Sequence, residues 1–501
     1  MCRTPTAPSR TTVTRAGISS AAAAKARTGL GGLDECIGIF APNLVKAPEV
    51  ARPVLAQKAS RLVQDLAPVR EARSTVGPSR RDGPGSLNSR RRQLDDLGVA
   101  IHASGCGFAT DLFARRREPE RPPVTIAIEG TIASAGPRPD RADEERLRLF
   151  AEELEELRRE VVAKIGADDV RHIQRVRRFS IAMEVLGRLA IHLSVDPFTF
   201  LAGVGALWLH KQVEATEIGH TALHGAYDRL EGAEAFASKT FQWDMPIDEE
   251  SWRLGHNGRH HGATNIAGRD PDMRFGVVRL TEQHPPEQRY QLAMLLGVIF
   301  PNFGFVMNTH FTGLNDWLLG HDDVLKDRSP EALRAAWRKS LRKYVPYYLK
   351  NYFFYPALAG PFFGKVLLGN VLAEVCRDVY SAATIVCGHV GDDVKSWPAG
   401  TRPGSPGAAY AMQVEAANDF EVSLPVSILC GGLDRQIEHH LFPTLPPPRL
   451  REIAPRVRAI CERYGVEYKT ASWGKTLHKA LRHVGQLSKQ EGALGVIRAV
   501  A

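Results

Sequence analysis

Along this 501-residue chain the apolar positions gather in five stretches, residues 179–195, 197–213, 290–311, 345–368 and 368–387, set among longer polar segments. A helix that crosses a bilayer needs about 20 mostly apolar residues. The first two stretches therefore predict one helical hairpin and the last two another, with 290–311 between them. Glu184, Arg188 and Asp196 interrupt the first hairpin, and Lys350, Lys365, Glu374, Arg377 and Asp378 interrupt the second. A wholly soluble helical bundle is the competing reading.

Ahead of the first hairpin, residues 142–176 are strongly helix-forming, with Leu147, Phe150, Leu154, Leu157 and Val161 at three-to-four spacing. That spacing predicts an amphipathic helix whose apolar face packs on its own domain or lies on a membrane surface. Residues 1–140 show no sustained periodicity. They are basic and rich in Ala, Arg, Ser, Gly and Pro, as in SRRDGPGSLNSRRR, which predicts disorder. An organellar transit peptide and an unfolded upstream extension both fit that composition. The folded part is expected over 141–485, with 486–501 as a C-terminal tail.

The polar segments hold the candidate chemistry. Of 17 histidines, eight fall into motifs: His220 and His224 in HTALH, His256, His260 and His261 in HNGRHH, His389 in CGHV, and His439 and His440 in QIEHH. Positions four apart share one face of a helix, so His220/His224 and His256/His260 each present two ring nitrogens in one direction. His261 lies about 100° further round and is expected to serve a neighbouring ion rather than the same one. Gln436, three and four residues before His439 and His440, offers an amide oxygen as a weak ligand or as a hydrogen-bond partner of one. His102, His172, His192, His210, His284, His310, His321, His478 and His483 lack such company and are read as ordinary side chains.

Ligand type and number narrow the metal. Imidazole suits zinc, copper, iron and nickel, but a zinc site takes four ligands and a structural one usually includes cysteine. The chain has no HExxH, and its seven cysteines include no CxxC pair, so zinc hydrolase and zinc finger both fall. Soluble di-iron bundles use two Glu-x-x-His repeats; here only Glu217-Ile218-Gly219-His220 has that form. Two irons held mainly by histidine fit the count best.

Topology adds an independent constraint. If the motifs share one site, an even number of crossings must separate HNGRHH from QIEHH. Arg334, Arg338, Lys339, Arg342 and Lys343 lie between 290–311 and the second hairpin, and such runs stay cytoplasmic. Residues 290–311 are therefore expected to lie in the interface or re-enter rather than cross. Arg171, Arg175, Arg177 and Arg178 place the start of the first hairpin on the same side. The expected fold class is all-α: an integral membrane protein with about four transmembrane helices in two hairpins, capped by a cytoplasmic helical domain rich in histidine.

HTALH, HNGRHH and GGLDRQIEHHLFP, in that order around apolar hairpins, resemble the three histidine boxes of the membrane fatty acid desaturases. The flanking phrases EIGHTALHGAYD, GRHHGATNIAGRDPDM and QIEHHLFPTLP are similar to the acyl-lipid and front-end branch and its bacterial relatives, and the likeness covers about residues 145–485. Gln436 in place of the first histidine of the third box also resembles the front-end branch. The resemblance implies that His220, His224, His256, His260, His261, His439 and His440 are iron ligands, that His389 is the extra ligand between the second and third boxes, and that Gln436 lies near the metal. It implies a non-haem di-iron cofactor with dioxygen as co-substrate, and an acyl chain carried on coenzyme A, a carrier protein or a phospholipid.

One departure bears on the partners. Many front-end desaturases carry a fused cytochrome with an HPGG haem motif, which these 501 residues lack, as they lack a ferredoxin cysteine pattern. Electrons are then expected from a separate ferredoxin or small cytochrome with its reductase. The net charge of +9 suits an acidic carrier or anionic lipid headgroups; no nucleic-acid partner is expected. The implied location is the bacterial inner membrane with the boxes facing the cytoplasm. Two rival functions remain at this point: a lipid or carotenoid hydroxylase or ketolase with similar boxes, separated by gain of oxygen against loss of two hydrogens, and a non-catalytic membrane metal-binding or transport protein.

Overall fold

A computed structural model describes residues 141–498, with side chains through 489; the expected disordered extension over 1–140 lies outside the described residues. The described chain is mostly helical. The helix-forming run at its start is two helices rather than one: α1 (Arg141–Val162) and α2 (Ala167–Leu193) are separated at Gly166, whose backbone N–H donates to Asp169 Oδ2 at 3.0 Å. Phe150, Leu154, Leu157 and Val161 of α1 are buried. They join Ile437, Leu450, Ile453 and Val457 in one cluster, so the apolar face of this helix packs on its own domain.

α2 folds back into α3 (Pro197–Val213). Asp196 caps α3 by accepting from the Phe198 and Thr199 amides at 2.9 Å, with Pro197 at the first helical position, the arrangement that satisfies otherwise orphaned N–H groups. α4 (Glu249–Trp252) and α5 (Gln291–Phe311) follow. Then come α6 (Pro330–Tyr348) and α7 (Phe363–His389), whose connection runs through residues 349–362. α8 (Pro406–Glu415), α9 (Gln436–Leu441), α10 (Pro447–Arg463) and α11 (Trp473–Arg498) complete the helices that matter here. α11 runs unbroken past residue 486 with Leu487 buried, so the expected tail begins as helix. Strand pairing is minimal: β1 (Arg274–Phe275) pairs antiparallel with β2 (Val278–Arg279), and β3 (Asp419–Glu421) pairs parallel with β4 (Thr470–Ser472).

Among the described residues only α5 is long and apolar enough to cross a membrane by length and composition. This is the segment expected to lie outside the crossing set. It is not one regular helix: a π turn over Leu295–Ile299 and a 3₁₀ turn over Phe300–Asn302 break it at Pro301. The hairpin helices miss that threshold because α3 has 17 residues and α7 carries Lys365, Glu374, Arg377 and Asp378. Those charges are largely internal, since Glu374, Arg377 and Asp378 are buried. What the hairpins leave exposed is apolar: Val185, Leu186, Leu189 and Leu193 on α2, Phe198 and Leu201 on α3, then Leu349, Phe353, Leu358, Phe362 and Leu368 around the second turn. Large hydrophobics exposed in this number mark a surface that meets a membrane or another protein.

Candidate metal centre

The histidine motifs are set by wound-up helix ends rather than by regular α-helix. Past Val213, α3 widens into a π turn over Glu214–His220. The Trp243 indole N–H donates to the Glu214 carbonyl at 2.9 Å, a contact that ties the widened turn to a distant part of the chain. Gly219 is required there, because a Cβ would fall 1.9 Å from Trp243 Nε1. The second motif follows the same plan. Asp248 caps α4 by accepting from Ser251 N at 2.9 Å, and the chain then enters a π turn over Arg253–His260 closed by His261 N donating to the His256 carbonyl at 3.0 Å.

That winding redistributes the ligands. His220, His224, His256 and His439 form one group whose ligand atoms all lie within 4.8 Å of one another, and His260, His389 and His440 form a second. His256 and His260 were expected to point one way, with His261 set apart. His256 and His260 do share a face, their rings stacked at 5.1 Å and grouped with Asp272, while His260 also belongs to the second group; His261 Nε2 lies 3.3 Å from His256 Nε2 and its ring stacks on His440 at 4.2 Å. The five-residue hydrogen bond, in place of a four-residue one, brings His261 back over His256. His389 ends α7, with Nε2 2.9 Å from His440 Nε2 and 2.6 Å from the Gln436 amide nitrogen. Gly388 admits α9 this closely, because a Cβ would meet the Gln436 side chain at 2.8 Å. All eight expected histidines and Gln436 are thus brought together.

Several ring nitrogens in this cage are buried without a hydrogen-bond partner: His220 Nδ1, His224 Nε2, His261 Nδ1 and His439 Nε2, along with Gln436 Oε1. Burial, and then the neighbouring rings, hold His220, His224, His261, His389, His439 and His440 well below the ordinary histidine range. Neutral imidazole is the form that binds metal. Buried polar atoms left unpaired on this scale are costly in a closed interior, so the donor set fits cations seated between the rings.

Side chains outside the motifs orient the cage. His260 Nδ1 lies 2.9 Å from Asp270 Oδ1, which places the proton on Nδ1 and leaves Nε2 for a metal. Burial opposes its charge, but Asp270 and Asp272 prevail and push His260 up to about 9. Asp272 also approaches His256 Nδ1 at 3.5 Å and His310 Nε2 at 3.2 Å. Thr264 Oγ1 and Gln413 Oε1 each lie 3.1 Å from His440 Nδ1, and Trp252 stacks on His256. His310 was read as ordinary, and no role was given to Asp270, Asp272, Thr264, Gln413 or Trp252. The available signal was the phrase Asp270-Pro271-Asp272, ten residues beyond His260. Glu217 turns away from the cage, its Oε1 2.5 Å from His172 Nε2, so the lone Glu-x-x-His spacing contributes a structural hydrogen bond rather than a ligand.

A narrow cavity of about 70 Å³ opens on the cage. His220, His256, His260, Asp272 and His389 form its polar end, and Trp252, Phe275, Phe303, Met307, Phe311, Ile385 and Val386 its apolar walls. α5, the segment in doubt as a crossing helix, supplies three of those walls.

Residues 196–472 match the family model described as fatty acid desaturase. The NADPH-dependent stearoyl-CoA 9-desaturase of Mycobacterium tuberculosis is 34% identical over 350 residues, covering 68% of this chain and 79% of that protein. The sn-1 linoleoyl-lipid 6-desaturase of Synechocystis is 25% identical over 259 residues, 50% of this chain and 70% of that protein. The acyl-lipid (8-3)-desaturase of Physcomitrium patens is 28% identical over 279 residues, 52% of this chain and 55% of that protein.

Proposed function

The chain belongs to the fatty acid desaturase family, and from that premise we propose that it inserts a double bond near the middle of a saturated acyl chain held as a coenzyme A thioester, using two irons caged by its histidines. The observation that carries this reading is the pair of histidine groups at the closed polar end of an otherwise apolar cavity. Family and relatives favour desaturation over hydroxylation or ketolation, and over a metal-binding protein without catalysis. The acyl thioester follows the name of the mycobacterial relative, with which the shared stretch is long.

Iron, when bound, supplies with dioxygen and two electrons the oxidising power that protein acids and bases lack. The chain's own residues do the positioning. His220, His224, His256 and His439 would hold one ion and His260, His389 and His440 the other, with His261 between them and Gln436 beside His389. Asp270 keeps the proton of His260 on Nδ1. Phe275, Phe303, Met307 and Phe311 exclude water and hold the methylenes in register, and that register selects the carbons that lose hydrogen. The two hairpins would cross the bacterial inner membrane, with the cage and the basic loops on the cytoplasmic side. Electrons would come from a separate reductase system drawing on NADPH.

The test is expression in a host lacking 9-position desaturation of its own, with double-bond mapping of the acyl-CoA and glycerolipid fractions separately. A new 9-position alkene in acyl-CoA-derived chains, absent from His260→Ala, is the expected result. Products unsaturated only in intact glycerolipids, or oxygenated products, would overturn the substrate and reaction assignments respectively.

A further inference from the structure

Helix α6 carries three longitudinal rows, each repeating at three or four residues, and only one is buried. Ala336, Ser340, Tyr344 and Tyr347 form the buried row. Trp337, Leu341 and Val345 form a second, exposed by 43%, 45% and 50%. Arg334, Arg338 and Arg342 form a third beside it, also exposed. The apolar row does not stop at the helix end, since Leu349 and Phe353 continue it at the same four-residue step into the second hairpin.

We infer that α6, whose helical winding continues without a break through residues 349–358, slants through the headgroup layer of an anionic bilayer, with Trp337, Leu341 and Val345 toward the acyl boundary and Arg334 and Arg338 on lipid phosphates. This rests on the reading of the hairpins as membrane-inserted. Large apolar side chains exposed in a row, flanked by arginines on the adjoining row, make the surface of an interfacial helix. The long arginine stems lie along the apolar layer while the guanidinium groups reach phosphate. Continuity with Leu349 and Phe353 fixes the depth, because a helix leading straight into the hairpin cannot stand clear of the bilayer.

Charge pairing divides the basic residues along the helix. Arg342 pairs with Asp248, Lys343 with Glu249, and Lys339 lies 3.9 Å from Glu250, so this end is fastened to α4 and its capping turn. Arg334 pairs only with Glu331 one turn earlier on the same exposed face. Among the described ion pairs none joins Arg338 to another element. Arg334 and Arg338 are therefore the two guanidinium groups left for phosphate. Since α4 leads directly into the turn that carries His256, His260 and His261, the helix also anchors that part of the cage to the membrane plane.

The test uses the full chain in nanodiscs of phosphatidylcholine mixed with phosphatidylglycerol, one lipid or the other brominated on its acyl chains. Quenching at Trp337 is the difference between wild type and Trp337→Phe, and quenching at Trp208 on α3, inside the first hairpin, is the corresponding difference for Trp208→Phe. Both tryptophans are expected to be quenched by brominated lipid, and Trp337 more by brominated phosphatidylglycerol than by brominated phosphatidylcholine. That preference should fall about fivefold for each of Arg334→Gln and Arg338→Gln. Lipid quenching at Trp208 with only aqueous iodide quenching at Trp337 would overturn the inference while leaving the membrane reading intact, and would mark α6 as a surface for water or a protein. No lipid quenching at either tryptophan would remove both. Equal quenching by the two lipids, unchanged in the arginine variants, would overturn the phosphate contacts.

Discussion

Among the described residues, the histidine cage and an ion cluster inside the hairpins are both buried in apolar surroundings, and their polar atoms are satisfied in different ways. In the hairpins, Lys211 Nζ donates to Glu374 Oε2 at 2.7 Å and to Tyr347 Oη at 3.1 Å, and Tyr347 in turn donates to Glu374. Arg377 pairs with Glu374 and lies 3.1 Å from Asp378, which accepts from Gly304 N at 3.0 Å. Each charge there meets an opposite one, and of these side chains only Arg377 leaves a buried nitrogen, Nε, without a partner. In the cage, nitrogens of His220, His224, His261 and His439 meet no partner at all. A satisfied buried network holds a structure together, whereas an unsatisfied one is reserved for something that arrives later.

The sharpest way to break this comparison is to delete a ring from each of the two histidine groups. His439→Ala and His389→Ala should each abolish desaturation and lose about half of the bound iron, with a circular dichroism spectrum like that of wild type. Full iron content in either variant would remove that ring from the ligand set. The ion cluster should respond in stability instead. Lys211→Met leaves Glu374 buried without its ammonium and should cost about 3–5 kcal/mol in thermal or denaturant unfolding. Pairing it with Glu374→Leu should restore much of the loss, and a double variant no better than the single one would show that the cluster is not coupled as drawn.

Asp270→Ala should weaken iron retention and activity about 10- to 100-fold, because the His260 ring loses the carboxylate that fixes its proton; this is read by chelator competition. The smallest effect concerns pH. The His260 charge, raised from 6.5 to about 9 beside Asp270 and Asp272, contributes stability to the metal-free fold that is complete below 6.5 and fades as pH rises through about 9. Iron must displace that proton, so iron affinity should rise about tenfold per pH unit up to about 9. Unfolding and iron titration across that range should therefore slope in opposite directions. An iron affinity that stays flat across that range would show that iron binding displaces no proton from His260.

Much of the cage was legible because its ligands sit in short motifs whose residue types have few structural uses. Eight histidines and Gln436 came from spacing and resemblance, and all nine meet in space. The two-hairpin pattern was legible from apolar stretches, but the burial of Glu374, Arg377 and Asp378 was not, because a linear pattern cannot show which charges will find partners. Two ions were expected, but the placing of His260 with His389 and His440, and of His261 against His256, was missed for a local reason: spacing rules assume regular α-helix, and both motifs ride on π turns, the first of them touched by Trp243 from far along the chain. Asp270 and Asp272 were printed in the sequence yet carried no signal of their own, since their role depends on a loop folding back over His260.

The sequence by itself determined which residues carry the chemistry, which segments are apolar, and how the basic runs are distributed, because composition and short-range spacing are properties of the chain. Only the tertiary structure decided which nitrogens share a group, which carboxylates orient them, that α5 walls the cavity, and that α6 buries one row and exposes two. These depend on contacts between residues tens to hundreds of positions apart, and steric fit and hydrogen-bond satisfaction in three dimensions select among arrangements that a linear pattern leaves equivalent.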